Sequence, residues 1–474
     1  MKISAFTLLL LLFSCQSQTT DGVNPKLKDD RPNIILLVAD DHGKDAIGAY
    51  GNPVIKTPHL DALAATGTRF DRAFCTTASC SASRSVILSG QHNHANGHFG
   101  HQHSYHHFSS YDTIQSMPVV LAKAGYRTAR IGKYHVAPES VYHFQEVFKA
   151  NSRSAVEMAE KTKDFVQADD PNPFFLYFCF SDPHRGGGFA KELPHQPDRF
   201  GNQKKGYPGV TPVIYDPAEV LVPAFLTDTP ETRAEIAQYY QSISRLDAGV
   251  GQLIAYLKES GQFDNTLIVY ISDNGMAFPG AKTTLYEAGM QLPCIVKAPG
   301  QKAANINNEM VSWPDLLPTF LDYAEVEDSE ITTHGVSIRP ALTGNSLSRQ
   351  AVYASHTFHE VTMYYPMRVI RGEKYKLIMN LADGLDYPFA SDLFASKTWQ
   401  SVLNKGLDKL GEKPIAEFLH RPRFELYDIS TDPFETINLA SQATHLEILT
   451  GMQQQLRQFQ IDTKDPWLYK WEYE

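Results

Sequence analysis

The sequence predicts an α/β fold, a mostly parallel sheet flanked by helices, followed by a smaller C-terminal α+β part built on an antiparallel sheet. Three observations predict it. Continuous apolar runs recur along the first two thirds of the chain, and each ends in polar residues. Stretches of helical periodicity separate them, and the pattern turns to short strands and a hairpin after about Thr343.

The first run, Ile34 to Ala39, ends in Asp40-Asp41. The second, Phe174 to Phe180, is followed by Ser181-Asp182-Pro183-His184, and the third, Leu267 to Ile271, by Ser272-Asp273-Asn274-Gly275. Unbroken apolar runs of this length suit strands buried on both faces, the signature of a parallel sheet covered by helices. In open α/β sheets ligands bind outside the carboxyl ends of the strands, so these polar termini are where chemistry is expected. Val119 to Gly125 reads as a short helix closed by glycine. Glu235 to Gly261 reads as a long one, with Ile236, Tyr239, Ile243, Leu246, Val250, Leu253 and Leu257 at helical spacing. The Gly- and Pro-rich stretch from Arg185 to Pro223 is too long for a plain connection and reads as a functional loop. Further on, Met367–Ile370 and Tyr375–Ile378 flank a hairpin turn, Glu425–Asp428 is a short strand, and His445 to Phe459 is a final helix. The expected division is a catalytic domain over 31–343 and an α+β domain over 344–474.

A chain of 474 residues, 42% hydrophobic and 20% charged, has the composition of a folded protein with a large core. Its formal net charge of -10 argues against a nucleic-acid partner. An anionic substrate would need a local cationic pocket. Residues 1–15 read as an export signal: Lys2, an apolar run from Ile3 to Phe13, then small residues up to Cys15. Leu12-Phe13-Ser14-Cys15 resembles a lipoprotein cleavage box, with Cys15 lipidated, 16–30 as a tether, and membrane anchoring through that lipid. An ordinary cleaved signal is the alternative. Either way the protein is expected to be exported, to the periplasm or to the outer-membrane or cell surface. Five cysteines in an exported chain of this size do not make a disulfide scaffold.

Cys80-Ser81-Ala82-Ser83-Arg84, continuing to Leu88-Ser89-Gly90, resembles the signature of the formylglycine-dependent sulfatases, with Ala82 where proline is commoner. That resemblance implies an alkaline-phosphatase-like fold and a maturation enzyme that oxidises Cys80 to formylglycine (3-oxoalanine). The hydrated aldehyde then attacks sulfur with one hydroxyl and expels sulfate with the other. Asp40, Asp41, Asp273 and Asn274 offer the carboxylate and amide oxygens that hard divalent cations require. The resemblance implies that they hold one Ca2+ beside residue 80. It also assigns Arg84, Lys133, His135, His184 and Lys282 to sulfate binding and proton handling, with Gly132-Lys133-Tyr134-His135 as a matching motif.

Seven histidines crowd the run from His92 to His107. A zinc or copper tract is one reading; an active-site rim, directly after the Cys80 motif, is the preferred one. Together with Ser181–Arg185, His359-Glu360 through Arg368, and Asp465-Pro466-Trp467, this run resembles the heparan N-sulfatase (sulfamidase, N-sulfoglucosamine sulfohydrolase) branch of the sulfatases, from about Arg31 to Trp467. The implied substrate is a sulfated glycan carrying N-sulfoglucosamine units. Arg185, His359 and Glu360 are then candidates for holding the sugar, or equally residues of a domain interface. The rivals are an O-sulfatase acting on another polysaccharide, a catalytically silent glycan-binding lipoprotein, and a phosphatase of the same superfamily.

Overall fold

All seven residues of strand β1 (Asn33–Ala39) are buried, and β1 lies inside the large sheet. The structure, a computed structural model, describes residues 29–186, 198–327 and 330–473. The other strands of that sheet are β2 (Thr68–Phe70), β3 (Arg127–Gly132), β4 (Glu146–Phe148), β5 (Phe174–Cys179), β6 (Thr266–Ser272), β7 (Cys294–Lys297) and β8 (Asn305–Asn307). Their spatial order is β4-β3-β5-β1-β6-β7-β2-β8. Neighbours run parallel except at β7, which is antiparallel to both β6 and β2. The register aligns four strand ends: Val38 lies opposite Cys179, Ala39 opposite Ser272, and Gly132 opposite Cys179. The residues that follow these ends are therefore delivered to one edge.

Helices cover both faces. Helix α1 (Cys80–Ser89) is buried at every position and ends at Gly90, whose φ of +66 suits glycine. Helix α2 (Pro230–Glu259) starts at Pro230 rather than Glu235. The Thr229 side chain accepts from the Thr232 N–H at 3.1 Å, and Pro230 fills the first turn, where its missing N–H costs nothing. The short helix expected from Val119 spans Met117–Lys123.

The C-terminal strands β9 (Ala351–Phe358), β10 (Tyr364–Gly372), β11 (Tyr375–Asn380) and β12 (Phe424–Asp428) form an antiparallel sheet in sequence order, with the expected hairpin between β10 and β11. Helices α3 (Ser391–Phe394) and α4 (Lys397–Asn404) lie between β11 and β12, and α5 (Leu446–Asp462) comes last. Leu449, Met452, Leu456 and Phe459 of α5 pack on Ile370, Leu377, Met379 and Leu426.

Alternation along β1 feeds two cores. Ile35, Leu37 and Ala39 pack with Leu246, Val250 and Leu253 of α2. Ile34, Leu36 and Val38 belong to a cluster that continues without a break into Val352, Ala354, Met367 and Tyr427. The two expected domains thus share one core, which fixes the C-terminal part against the strand edge. Among the described residues, no helix is long and apolar enough to cross a membrane. The leader with Cys15, the linker up to residue 28, and 187–197 of the loop after Arg185 lie outside the described residues. The described remainder of that loop forms neither strand nor helix.

Candidate active site

The first helical residue of α1 is Cys80, preceded by Ser79 in extended conformation. Its Sγ lies 3.6 Å from Lys133 Nζ and 3.9 Å from His101 Nδ1. One acceptor atom from each of Asp40, Cys80 and Asp273 falls within 4.8 Å of the others. Residue 80 therefore meets the ends of β1, β3 and β6 at one point.

The carboxylates are fully buried and tied to one another through the backbone. Asp273 Oδ1 accepts from the N–H groups of Asp41 and Asn274, and its Oδ2 accepts from Arg84 Nε at 2.9 Å. Asp41 Oδ1 accepts from Asn274 Nδ2, and its Oδ2 accepts from His184 Nδ1 at 2.6 Å and Lys282 Nζ at 3.0 Å. Lys133 Nζ donates to Asp40 Oδ2, and the Arg84 guanidinium donates to the Lys133 carbonyl. Asp41, His135 and Thr283 all have φ near +60, uncommon for residues other than glycine, and all three flank this centre.

Burial and charge oppose each other here. Desolvation pushes the Asp40 carboxyl up, but Lys133 first, with Arg84, overcomes it and holds Asp40 below the usual range. Asp273 goes the other way: burial raises it more than Arg84 lowers it. Burial also pushes the Cys80 thiol up to about 12. His135 and His184 stand well below an ordinary imidazole, first through burial and then through the neighbouring lysines.

Two buried oxygens, Asp40 Oδ1 and Asn274 Oδ1, have no hydrogen-bond partner. Orphaned buried oxygens are rare and need a cause. With the carboxylates of Asp41 and Asp273 beside them, they form an oxygen-rich set that fits a hard divalent cation such as calcium.

The structure brings Asp40, Asp41, Cys80, Arg84, Lys133, His184, Lys282, Asp273 and Asn274 into this one cluster. His135 joins through ring atoms within 4.8 Å of Cys80 and His101, and its Nε2 pairs with His103 Nδ1 at 2.6 Å. Gln102, His103, Lys133, His135, Ser181 and His184 line an open depression of about 480 Å³ above it.

Other expectations fall differently. Arg185, expected to hold sugar, is 1% exposed. It donates to Glu235 at 2.5 Å and lies between the Phe200 and Phe278 rings. Glu235 in turn accepts from the N–H groups of Lys397 and Thr398 at the start of α4. Arg185 therefore braces α4 against α2, the interface role that was the other expectation for it. His359 is also buried, bridging Ser79 Oγ and His101 Nε2 at 3.0 Å each. Glu360 reaches the rim, where it accepts from Ser391.

The histidine run splits. His103 and the buried His101 lie at the site, whereas His92, His94 and His98 are buried away from it, with His94 bonded to Ser355 and Thr463. Sequence reasoning missed Asp392, whose Oδ2 lies 3.0 Å from Lys282 Nζ. It stands at the start of α3 in no recognisable motif.

Comparison with known proteins gives a family match described as Sulfatase over residues 32–326, and a second, N-sulphoglucosamine sulphohydrolase, C-terminal, over residues 280–391. The human protein named N-sulphoglucosamine sulphohydrolase is 38% identical over 459 residues, covering 92% of this chain and 91% of that one. An ulvan-active sulfatase from Formosa agariphila is 28% identical over 431 residues, covering 88% and 78%. Among solved structures, one in complex with its substrate D-glucosamine-2-N,6-O-disulfate superposes with a TM-score of 0.68 at 23% identity, covering 94% of this chain and all of that one. A 2-O glycosaminoglycan sulfatase superposes with a TM-score of 0.67 at 19% identity, covering 92% and 93%. The two structures speak for the alkaline-phosphatase-like sulfatase fold alone. With a family match over more than half of its length and a relative this similar aligned along nearly all of it, the chain belongs to the sulfatase family.

Proposed function

We propose that this sulfatase releases the N-linked sulfate of glucosamine units in heparan-type saccharides, using formylglycine made from Cys80 by a maturation enzyme and one calcium ion. The observation that carries the reading is the convergence of Cys80 Sγ, Lys133 and the Asp40 and Asp273 carboxylates on one point at the mouth of a depression. The likeness to the human N-sulphoglucosamine sulphohydrolase supports the choice of bond.

Formylglycine would supply the nucleophilic hydroxyl, and calcium would offset charge at the sulfate oxygens. Asp40, Asp41, Asp273 and the orphaned amide oxygen of Asn274 would hold the ion. Lys133 and Lys282 bind the sulfate as point charges where charge grows during reaction. Arg84, locked to Asp273, fixes the first turn of α1 and keeps residue 80 in place. His135, neutral through burial, accepts a proton from residue 80. His184 is bonded through Nδ1 to Asp41, which leaves Nε2 to take up a proton from solvent and, once charged, to pass it to the departing atom, nitrogen in a sulfamate and oxygen in an ester.

The test is incubation of matured protein with heparin disaccharides carrying only N-, 6-O- or 2-O-sulfate, with product analysis. Release from the N-sulfated sugar is expected. Release of only O-linked sulfate would overturn the bond assignment while leaving a sulfatase.

Metal removal gives a second prediction. Stripping the protein with a calcium chelator should cost the folded state about 3 kcal/mol relative to protein in ~100-fold excess of calcium over Kd. Differential scanning calorimetry reads this as a lower Tm that calcium restores and magnesium, with its stricter octahedral demand, restores less. A Tm indifferent to calcium would remove the ion from the site.

A further inference from the structure

Lys282 is 1% exposed, and its Nζ has three neighbours: Asp41 Oδ2 at 3.0 Å, Asp392 Oδ2 at 3.0 Å and His184 Nδ1 at 3.2 Å. The two carboxylates differ in kind. Asp41 is fully buried, is held also by His184 and Asn274, and belongs to the cation set. Asp392 comes from the C-terminal part, has a side chain 21% exposed, and belongs to none of the candidate metal groups. Its Oδ1 accepts from the Leu393 N–H, which pins the carboxylate at the start of α3 and aims Oδ2 at the ammonium. A fixed negative charge therefore stands next to a lysine whose task in the proposed function is to bind an anion.

Asp392 acts on that anion in proportion to its charge. A sulfate ester or sulfamate carries one negative charge, and the sulfate released from it carries two. One carboxylate beside the binding ammonium therefore repels the product about twice as strongly as the substrate, in a buried site where charges are poorly screened. The neighbouring carboxylates would not serve this end, because the cation they would hold offsets them.

We propose that Asp392 is a specificity-determining residue that sets the pocket's charge for a monoanion, favouring the substrate over the sulfate dianion and so speeding product release. This rests on the sulfatase reading given above.

The experiment compares inorganic sulfate with methyl sulfate, which presents the same tetrahedral head with one charge. Inhibition constants for both are measured in wild type, Asp392→Asn and Asp392→Glu. Calorimetric binding is measured in the same set carrying Cys80→Ser, so that one readout needs no turnover. Thermal unfolding of each variant checks the fold. In Asp392→Asn the constant for sulfate should fall about tenfold and that for methyl sulfate only about threefold, its square root. Asp392→Glu should keep the wild-type ratio. Equal shifts for the two anions, or weaker binding of both, would overturn the proposal and make Asp392 a simple brace for Lys282. Wild-type protein that neither releases sulfate from any saccharide nor binds either anion would remove the sulfatase reading, and this inference with it.

Discussion

Replacing Cys80 with serine should lower kcat/KM by at least ~10⁴-fold and leave the Tm unchanged, because the site loses its chemistry but little of its packing. The Cys80 side chain is buried at the start of a helix that is itself buried throughout, and serine is close to it in size. The unmodified thiol is no substitute nucleophile. Burial pushes it up to about 12, so at neutral pH it stays protonated despite Lys133 at 3.6 Å. Serine keeps one hydroxyl in place but lacks the second oxygen by which the family expels sulfate. Two measurements decide the matter together: turnover of the variant, and the mass of the wild-type tryptic peptide containing residue 80. Wild-type protein whose residue 80 is still a thiol yet turns over, or a serine variant that turns over normally, would sink the formylglycine reading.

Much of this site could be read from the sequence because each part of it ends an apolar run. Runs that stop at Asp40-Asp41, at Ser181–His184 and at Asp273-Asn274 announce buried strands whose polar ends share an edge. What the runs do not carry is strand order. Asp41 meets Asp273 because β1 pairs with β6 in the register that sets Ala39 against Ser272, and that neighbourhood is a long-range choice invisible to periodicity. Two outcomes that the sequence left open have local causes. Arg185 follows His184 directly, yet the chain turns between them, so one side chain enters the site while the other goes to Glu235. The histidine run looks uniform in sequence, but helix Asn93–Asn96 and the turns after it send His94 and His98 inward and His101 and His103 to the cleft. Asp392 could not be found at all. It acts only because a shared core presses the C-terminal part against the strand edge, and nothing in the residues around it marks that contact.

The buried histidines should make the fold strongly acid-labile. His94 and His356 are lowered to about 3, and His98 and His334 to about 4, by desolvation first in every case. None of the four touches the carboxylates of the candidate site. His94 bonds Ser355 and Thr463, His356 bonds Thr77, and His334 accepts from the His92 N–H. His94 and His356 join the segments around Cys80 to β9 and to the end of α5. A group lowered in the folded state is neutral there while the unfolded chain, with a pKa near 6.5, takes up a proton. Stability is therefore complete above about pH 6.5 and drains away as pH falls from there toward the folded values. At pH 5 each ring costs about 2 kcal/mol, whatever its folded value below that pH. Asp247 works the other way: burial raises it to about 7, so it gains about 3 kcal/mol over the same descent. Among these five groups the histidines outweigh it and leave a net loss of about 5 kcal/mol between pH 7.5 and 5, a large share of any domain's stability. Scanning calorimetry in saturating calcium should show Tm falling by about 5 °C across that range. Replacing His94 with glutamine, which keeps a neutral donor and acceptor between Ser355 and Thr463, should flatten the slope by about two fifths. A Tm that stays level to pH 5 would mean that these rings accept protons without leaving their places, and that burial does not govern the fold's response to acid.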